Sequence, residues 1–171
     1  MGIHCFIMKD KLALLLLGVA GLYIIYKDTQ STISNNSSGG LLGSFAPSSN
    51  LAARQLLASA IAQAEGYNTP GTIPNVRNNP GDLEDNGVIV QYASPTAGFD
   101  ALDNQLKLIE DGLSSEFTMQ MTFSTLADIW TGYDQANSWA NNVVSYIQNN
   151  GGPVGLTTSN TLQDYYDSMQ V

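Results

Sequence analysis

Cysteine and histidine are almost absent from this chain, which has one of each among 171 residues. A single cysteine, Cys5, cannot form a disulfide within the chain. His4 precedes it, and two adjacent ligands are too few for a structural zinc site. We interpret both as residues of a frayed terminus. Because the rest of the chain has neither a histidine nor a phosphate-binding loop, we exclude histidine-based catalysis there and expect no metal and no other cofactor.

Basic residues are also scarce, since six lysines and arginines stand against fifteen acidic residues, for a net charge of -9. Beyond residue 30 the only positive side chains are Arg54, Arg77 and Lys107. An acidic body of this kind is repelled by nucleic acid phosphates and by anionic lipid. We therefore expect no nucleic acid partner.

One long apolar run, Leu12 to Tyr26, carries no charge. As a helix it spans roughly 22 Å, which is short of the ~30 Å hydrocarbon core and fits a signal peptide or a short anchor. Tyr23, Tyr26 and Lys27 are residue types that fix a helix end at the headgroups, which favours an uncleaved anchor over cleavage after Gly21. The small excess of lysines before the run predicts a cytoplasmic N-terminus and a body outside the membrane.

The composition divides the chain into three parts. Residues 1–28 are predicted to form the transmembrane anchor, and residues 29–49, rich in Ser, Asn and Gly, a flexible linker. Residues 50–171 form the body. Its patterns predict a mainly α domain, of the α+β type, with one small β-hairpin at Asn86-Gly87.

The helical patterns of the body are specific enough to place several elements. Leu57, Ala60, Ile61 and Ala64 predict a first helix that ends at Gly66, and residues 68–82 are predicted to be loop. A second helix opens at Pro95 with a stripe that runs to Leu113. Three later helices are expected near residues 124–131, 137–148 and 161–169. The apolar stripe of the first of these consists of Leu126, Ile129 and Trp130. A solvated acidic face is expected from Asp100, Asp103, Glu110, Asp111 and Glu116.

Glu65 is the only carboxylate between residues 50 and 75, and it shares a helix face with Leu57 and Ile61. Apolar surroundings and the carbonyls of a final helical turn should both raise its pKa. A carboxylic acid that stays protonated near neutral pH suits cleavage of a glycosidic bond. The alternative, a helix-end glutamate that points into water, remains open from periodicity alone.

Polar side chains follow in the loop, namely Arg77, Asn78, Asn79 and Asp82. Amides suit sugar recognition because they donate and accept hydrogen bonds in one plane. Taken alone, these residues are better explained by ordinary turn chemistry. Trp130 and Trp139 could stack on sugars, but Trp130 lies in an apolar stripe and is interpreted as core.

The run AIAQAEGYNTPGTIPNVRNNPGDL, from Ala60 to Leu83, resembles the catalytic segment of lysozyme-like lytic transglycosylase domains of phages and mobile elements. In that family a helix ends in Glu-Gly, a Pro-Gly loop follows, and Asn-Asn-Pro-Gly comes next. The segments 92–102, 125–133 and 139–156 resemble later parts of the family in the same order. The resemblance covers residues 50 to 170 and implies a lysozyme-like fold.

The resemblance also implies roles for individual residues. Glu65 would act as general acid and then as general base on the β-1,4 bond between N-acetylmuramic acid and N-acetylglucosamine, with closure of a 1,6-anhydro ring. Asp82 stands where the family often has Asn, which leaves a second catalytic group, a sugar ligand or a loop residue open. The candidate substrate contacts are Asn78, Asn79, Asp82, Gln91, Tyr92 and Tyr133.

Two functions follow as expectations. The first is a membrane-anchored lytic transglycosylase that opens the cell wall locally from the periplasmic side, as a virion membrane protein or in a secretion machine. Its partners would be peptidoglycan strands, the membrane, and proteins of the virion or secretion complex. The second is a non-catalytic module that binds peptidoglycan or assembles such a membrane complex.

Overall fold

The computed structural model describes residues 49–170. The predicted anchor, residues 1–28, and nearly all of the predicted linker lie outside the described residues. Between residues 49 and 170, no helix combines the length and the apolar character needed to cross a bilayer. The described elements are α1 (Ser49–Ala64), α2 (Ile73–Val76), β1 (Glu84–Asp85), β2 (Val88–Ile89), α3 (Pro95–Glu110), α4 (Phe123–Thr131), α5 (Ala136–Asn149) and α6 (Leu162–Ser168).

Among the described residues, the hairpin of residues 84–89 is grouped apart from the helices, which all belong to one compact unit. Strands β1 and β2 pair antiparallel, with Glu84 opposite Ile89 and Asp85 opposite Val88. The turn residues Asn86 and Gly87 have φ values of 52° and 74°, as a type I′ turn requires. The predicted Asn-Gly hairpin is confirmed, and its second strand consists of the two residues Val88 and Ile89.

Helix α1 is the centre of the helical unit, because α3, α5 and α6 all pack against it, while α4 packs on α5. Its buried apolar residues are Ala53, Leu57, Ala58, Ala60, Ile61 and Ala62. These residues extend beyond the single predicted stripe and cover more than one side of the helix. Alanine makes this possible, since its small side chain lets neighbouring helices approach the α1 backbone closely.

Local chemistry explains where the helices begin. Ser94 accepts a hydrogen bond from the Ala97 N–H, and Pro95 occupies the first turn of α3, as predicted. Thr161 and Asp164 form a reciprocal capping box at the start of α6. Helix α2 lies within residues 68–82, so the prediction that this whole stretch is loop is wrong. Pro74 explains the difference, because proline is favoured in a first helical turn.

Two of the predicted apolar stripes are wrong at their C-terminal ends. Leu113 is exposed because α3 ends at Glu110, before the predicted stripe does. Ile129 is also exposed, and Trp130 is half-buried rather than core. The buried residues of α4 are instead Phe123, Leu126 and Ala127, which follow the i, i+3, i+4 spacing of one helix face.

The interpretation of the acidic residues of α3 as a solvated face is wrong for Asp103 and Glu110. Arg54 of α1 is only 6% exposed, and its guanidinium nitrogens lie 2.7 Å from Asp103 Oδ1 and 2.7 Å from Glu110 Oε2. Asn50 donates a further hydrogen bond of 2.7 Å to Glu110. A buried guanidinium requires such partners, because an uncompensated charge in the interior is very costly. Burial opposes the charge of Arg54, but the two carboxylates outweigh it and raise its pKa.

Gly98 of α3 lies against the backbone of the loop that precedes the hairpin. A Cβ atom at this position would lie 1.8 Å from the Asn78 carbonyl oxygen and 2.8 Å from Pro80 Cδ. The absence of a side chain therefore lets α3 pack directly on the segment that carries the candidate site residues Asn78 and Asn79.

We expect Gly98→Ala to destabilise the protein by about 3 kcal/mol or to prevent folding, because the added methyl group overpacks a rigid contact. In an unconstrained helix the same change stabilises the protein by about 1 kcal/mol, so the sign of the change in unfolding free energy shows whether the contact is rigid. Urea denaturation measures it. Gly155→Ala is the matched control, since a Cβ there meets nothing within 4 Å. Equal stabilities for the two variants would contradict the proposed contact.

We expect Arg54→Ala to lower the free energy of unfolding by about 3 kcal/mol, because it leaves Asp103 and Glu110 without their buried counter-charge. Lys107→Ala is the control, since Lys107 pairs with Asp111 on the surface and such pairs contribute about 0.5 kcal/mol. Urea denaturation at neutral pH compares the two. Similar losses of unfolding free energy in both variants would show that the buried ion pairs of Arg54 stabilise the protein no more than a surface pair does.

Candidate active site

Glu65 stands at the point where α1 ends. Its N–H bonds the Ile61 carbonyl at 2.9 Å, and Gly66 adopts a φ of 74°. The Gly66 N–H then donates to the Gln63 carbonyl, and the Tyr67 N–H donates to the Ala62 carbonyl. Together these two hydrogen bonds form a Schellman motif. The helix end predicted at Gly66 is confirmed. The backbone of Glu65 is therefore fixed on both sides, and its side chain continues the buried face of Leu57 and Ile61.

The carboxyl group of Glu65 is half-buried beneath an indole. Trp139 of α5, only 4% exposed, donates its Nε1–H to Glu65 Oε1 at 2.8 Å. Trp130 stacks on Trp139, with ring centroids 6.0 Å apart and planes inclined by 27°. The Trp130 N–H bonds the Gly81 carbonyl at 3.2 Å, and Phe117 packs on the same indole. Two tryptophans thus separate the carboxyl group from bulk solvent on one side.

Burial raises the pKa of Glu65 from its ordinary value of 4.5 to about 7. The Trp139 hydrogen bond opposes this shift, because the indole donor favours the ionised carboxylate. The negative charge of Asp82 raises the pKa further, and the Trp130 N–H lowers it slightly. The predicted increase agrees with the structure, and burial is its largest cause. A carboxyl group of this kind exchanges a proton near neutral pH.

The loop from Asn78 to Leu83 brings Asp82 towards Glu65. Asn78 and Asp82 both have left-handed backbone conformations, with φ values of 52° and 47°, and Asn and Asp tolerate this region better than most residues. Asp82 Oδ1 is shielded from solvent. Its negative charge acts on Glu65, and its role as a second catalytic group, a sugar ligand or a loop residue stays a prediction.

Asn79 holds this loop together from the inside. Its side chain is 0% exposed, and its amide nitrogen donates to the carbonyls of Leu83 and Val90 at 2.8 and 3.0 Å. Its amide oxygen accepts the Leu83 N–H at 2.9 Å. A buried amide with these bonds cannot reach a sugar, so the predicted substrate contact of Asn79 is replaced by a structural role.

The remaining predicted contacts differ in exposure. Asn78 donates to the Tyr92 carbonyl at 3.1 Å and so also holds the loop. Tyr92 is half-buried, and burial raises the pKa of its hydroxyl group. Gln91 is exposed, and Tyr133 is 84% exposed beyond the end of α4. Substrate contacts by Gln91, Tyr92 and Tyr133 stay predictions.

The sequence patterns named Trp139 only as a residue that could stack on a sugar, and at 4% exposure its indole is too buried to do so. It lies four residues before Val143 on the buried face of α5, so periodicity alone predicts a core residue. A usable signal was its indole N–H, which requires a partner when it is buried. The sequence offered no means of choosing Glu65, 74 positions away, as that partner.

Comparisons with known proteins add nothing to this geometry, since no protein-family model, no curated protein and no solved structure matches the chain. Within residues 49–170, no three His, Cys, Asp or Glu side chains are grouped so that they could hold a metal ion. Glu65 and its neighbours are therefore the residues that indicate a function.

We expect Glu65→Gln to stabilise the protein at pH 8. A carboxyl group whose pKa rises from 4.5 unfolded to about 7 folded disfavours folding once the pH exceeds the unfolded value, and its cost is complete above the folded value. The difference corresponds to about 3 kcal/mol. Gln keeps an acceptor for Trp139 but cannot ionise. Urea denaturation at pH 4 and pH 8 should give similar stabilities at pH 4 and a more stable variant at pH 8; no gain at pH 8 would contradict the raised pKa.

Proposed function

We propose that the domain of residues 50–171 is a lysozyme-like lytic transglycosylase that cleaves the β-1,4 bond between N-acetylmuramic acid and N-acetylglucosamine in peptidoglycan. One observation carries the proposal, namely the half-buried carboxyl group of Glu65 bonded to the Trp139 indole, whose burial raises its pKa to about 7. Such a group is protonated often enough to act as an acid and ionised often enough to act as a base at neutral pH. The resemblance of residues 60–83 to the family's catalytic segment supplies the substrate class.

In the first step the Glu65 carboxylic acid gives its proton to the glycosidic oxygen. The bond from this oxygen to C1 of N-acetylmuramic acid breaks, and the N-acetylglucosamine side leaves with a free 4-hydroxyl group. Burial assists this step, because it raises the pKa of Glu65 and so keeps more of the group in the protonated form at neutral pH.

In the second step the Glu65 carboxylate takes the proton of the C6 hydroxyl group of the same N-acetylmuramic acid. The C6 oxygen then bonds to C1 and closes the 1,6-anhydro ring. The proton gained equals the proton lost, so Glu65 is restored and no water is consumed. One carboxylate is enough for this sequence, which fits an interpretation of Asp82 as an electrostatic neighbour.

Asp82 favours a second candidate, a lysozyme-type hydrolase acting on the same bond. Its charge acts directly on Glu65, and glycosidases that use water employ two carboxyl groups a short distance apart. In this reaction Asp82 would activate a water molecule or stabilise the sugar cation. The product would then carry one additional water in place of the anhydro ring.

The setting of the reaction belongs to the same proposal. A membrane anchor at residues 1–28 and a linker to residue 49 would hold the domain on the periplasmic side, within reach of the glycan strands. Such a tether limits digestion to a local opening, which suits a virion membrane protein or a secretion complex. The net charge of the whole chain is -9, which gives it no electrostatic attraction to nucleic acid.

We expect the full-length chain to release anhydro-muropeptides from purified peptidoglycan, and Glu65→Gln to lower that rate at least about 100-fold, which is typical for removal of a general acid–base group. The rate should fall as the pH rises above 7, because the acid form of Glu65 is lost. Mass spectrometry of the soluble products measures both effects and separates lyase from hydrolase.

Asp167→Asn is the matched control, since it removes one carboxylate from the exposed side of α6 and should leave the rate unchanged. Products that contain the additional water would replace the lyase by the hydrolase. If the wild-type chain released no product at all, a non-catalytic peptidoglycan-binding or structural module would become the better description.

A further inference from the structure

The hydrogen bond between Trp139 and Glu65 defines which carboxyl oxygen carries the proton. An indole N–H is a donor only, so the oxygen that it contacts must offer a lone pair. Trp139 Nε1 lies 2.8 Å from Oε1. Because the carbonyl oxygen of a neutral acid is a better acceptor than its hydroxyl oxygen, this bond favours Oε1 as the carbonyl oxygen and Oε2 as the oxygen that carries the hydrogen.

We propose that Trp139 is a positioning residue that fixes Oε2 of Glu65 as the oxygen that gives up and recovers the proton. The bond itself is independent of any reaction, but its catalytic consequence rests on the function proposed above. Trp139 does not touch the reacting atoms in this proposal. It acts through the orientation and charge of the carboxyl group.

The same bond serves both protonation states. When the proton leaves Oε2, the indole N–H faces a full carboxylate, and a hydrogen bond to an ionised acceptor is shorter and stronger than one to a neutral acceptor. The donor is already in place before the charge forms, so no rearrangement is needed at that moment. Trp139 thus limits how far burial and the charge of Asp82 can disfavour the carboxylate.

The neighbours of Trp139 keep its indole from rotating away. The ring is buried, and Trp130 stacks on it at 6.0 Å. Trp130 is held in turn by its hydrogen bond to the Gly81 carbonyl, next to Asp82 in the chain. Helices α4 and α5 and the Asp82 loop therefore orient one carboxyl group that belongs to α1.

Trp139→Phe in the full-length chain tests the proposal, because it keeps an aromatic ring and removes the N–H. The midpoint of the Glu65 carboxyl titration, followed by carbon-13 NMR and assigned with Glu65→Gln, should move upward by about one pH unit. Looser packing alone would admit water and move the midpoint downward, so the sign separates a lost donor from a disturbed core. Val143→Ala, which removes a buried group one turn further along α5, is the control and should not raise the midpoint.

Kinetics on soluble, uncrosslinked glycan strands provide the second readout. Trp139→Phe should lower kcat about 10-fold with little change in KM, and the fall in rate at high pH should begin at a higher pH. An unchanged or lowered titration midpoint would overturn the positioning role even if the wild type cleaves glycan. A raised midpoint in a protein that does not cleave glycan would uphold the positioning role and reject the proposed function.

A third measurement needs no change at Trp139, and it covers the case in which Trp139→Phe does not fold. The indole N–H resonance of Trp139 in the wild-type chain should titrate with a midpoint near the Glu65 pKa of about 7, and this titration should vanish in Glu65→Gln. An indole N–H chemical shift that does not change with pH across this range would overturn the proposal.

Discussion

The burial of one carboxyl group at the end of α1 is the constraint on which the site depends. Glu65 lies on the same face as Leu57 and Ile61, which are core residues, so its position follows from the packing of α1 against three other helices. Desolvation disfavours its charge, and the neighbouring Asp82 adds to that effect. The indole of Trp139 compensates in part with a hydrogen bond that favours the anion. A pKa near neutrality results from these opposed contributions.

The loop of residues 78–83 is built to keep this balance. Asn79 has no exposed surface and bonds three backbone groups, while Gly98 lets α3 pack directly on the loop backbone. The loop therefore holds Asp82 and the Gly81 carbonyl in fixed places beside Trp130. Rigidity matters because electrostatic effects on a buried carboxyl group change steeply with distance. Asn78 and Asn79, which the sequence suggested for sugar recognition, contribute to this support through their bonds to backbone groups.

Sequence patterns predicted the local features of this fold and missed those that join distant segments. The helix end at Gly66, the Asn-Gly hairpin and the core-facing side of Glu65 each follow from chemistry within a few residues. The Arg54 pairs and the bond from Trp139 to Glu65 join residues 49 to 74 positions apart. An amphipathic pattern indicates which side of a helix is buried, but it does not identify the partner across the interface. Trp130 and Asn79 were misinterpreted for this reason.

The energetic cost of Glu65 favours catalysis over simple binding. A carboxyl group that is half-buried beside a second carboxylate weakens the fold at neutral pH, whereas glutamine would keep an acceptor for Trp139 without that cost. A domain that only held a glycan strand would gain nothing from the carboxyl group at this position. What the carboxyl group adds is a proton that can leave and return near pH 7, and active sites commonly sacrifice stability for such a group. The unfavourable burial of Glu65 thus supports the proposal that the site is catalytic.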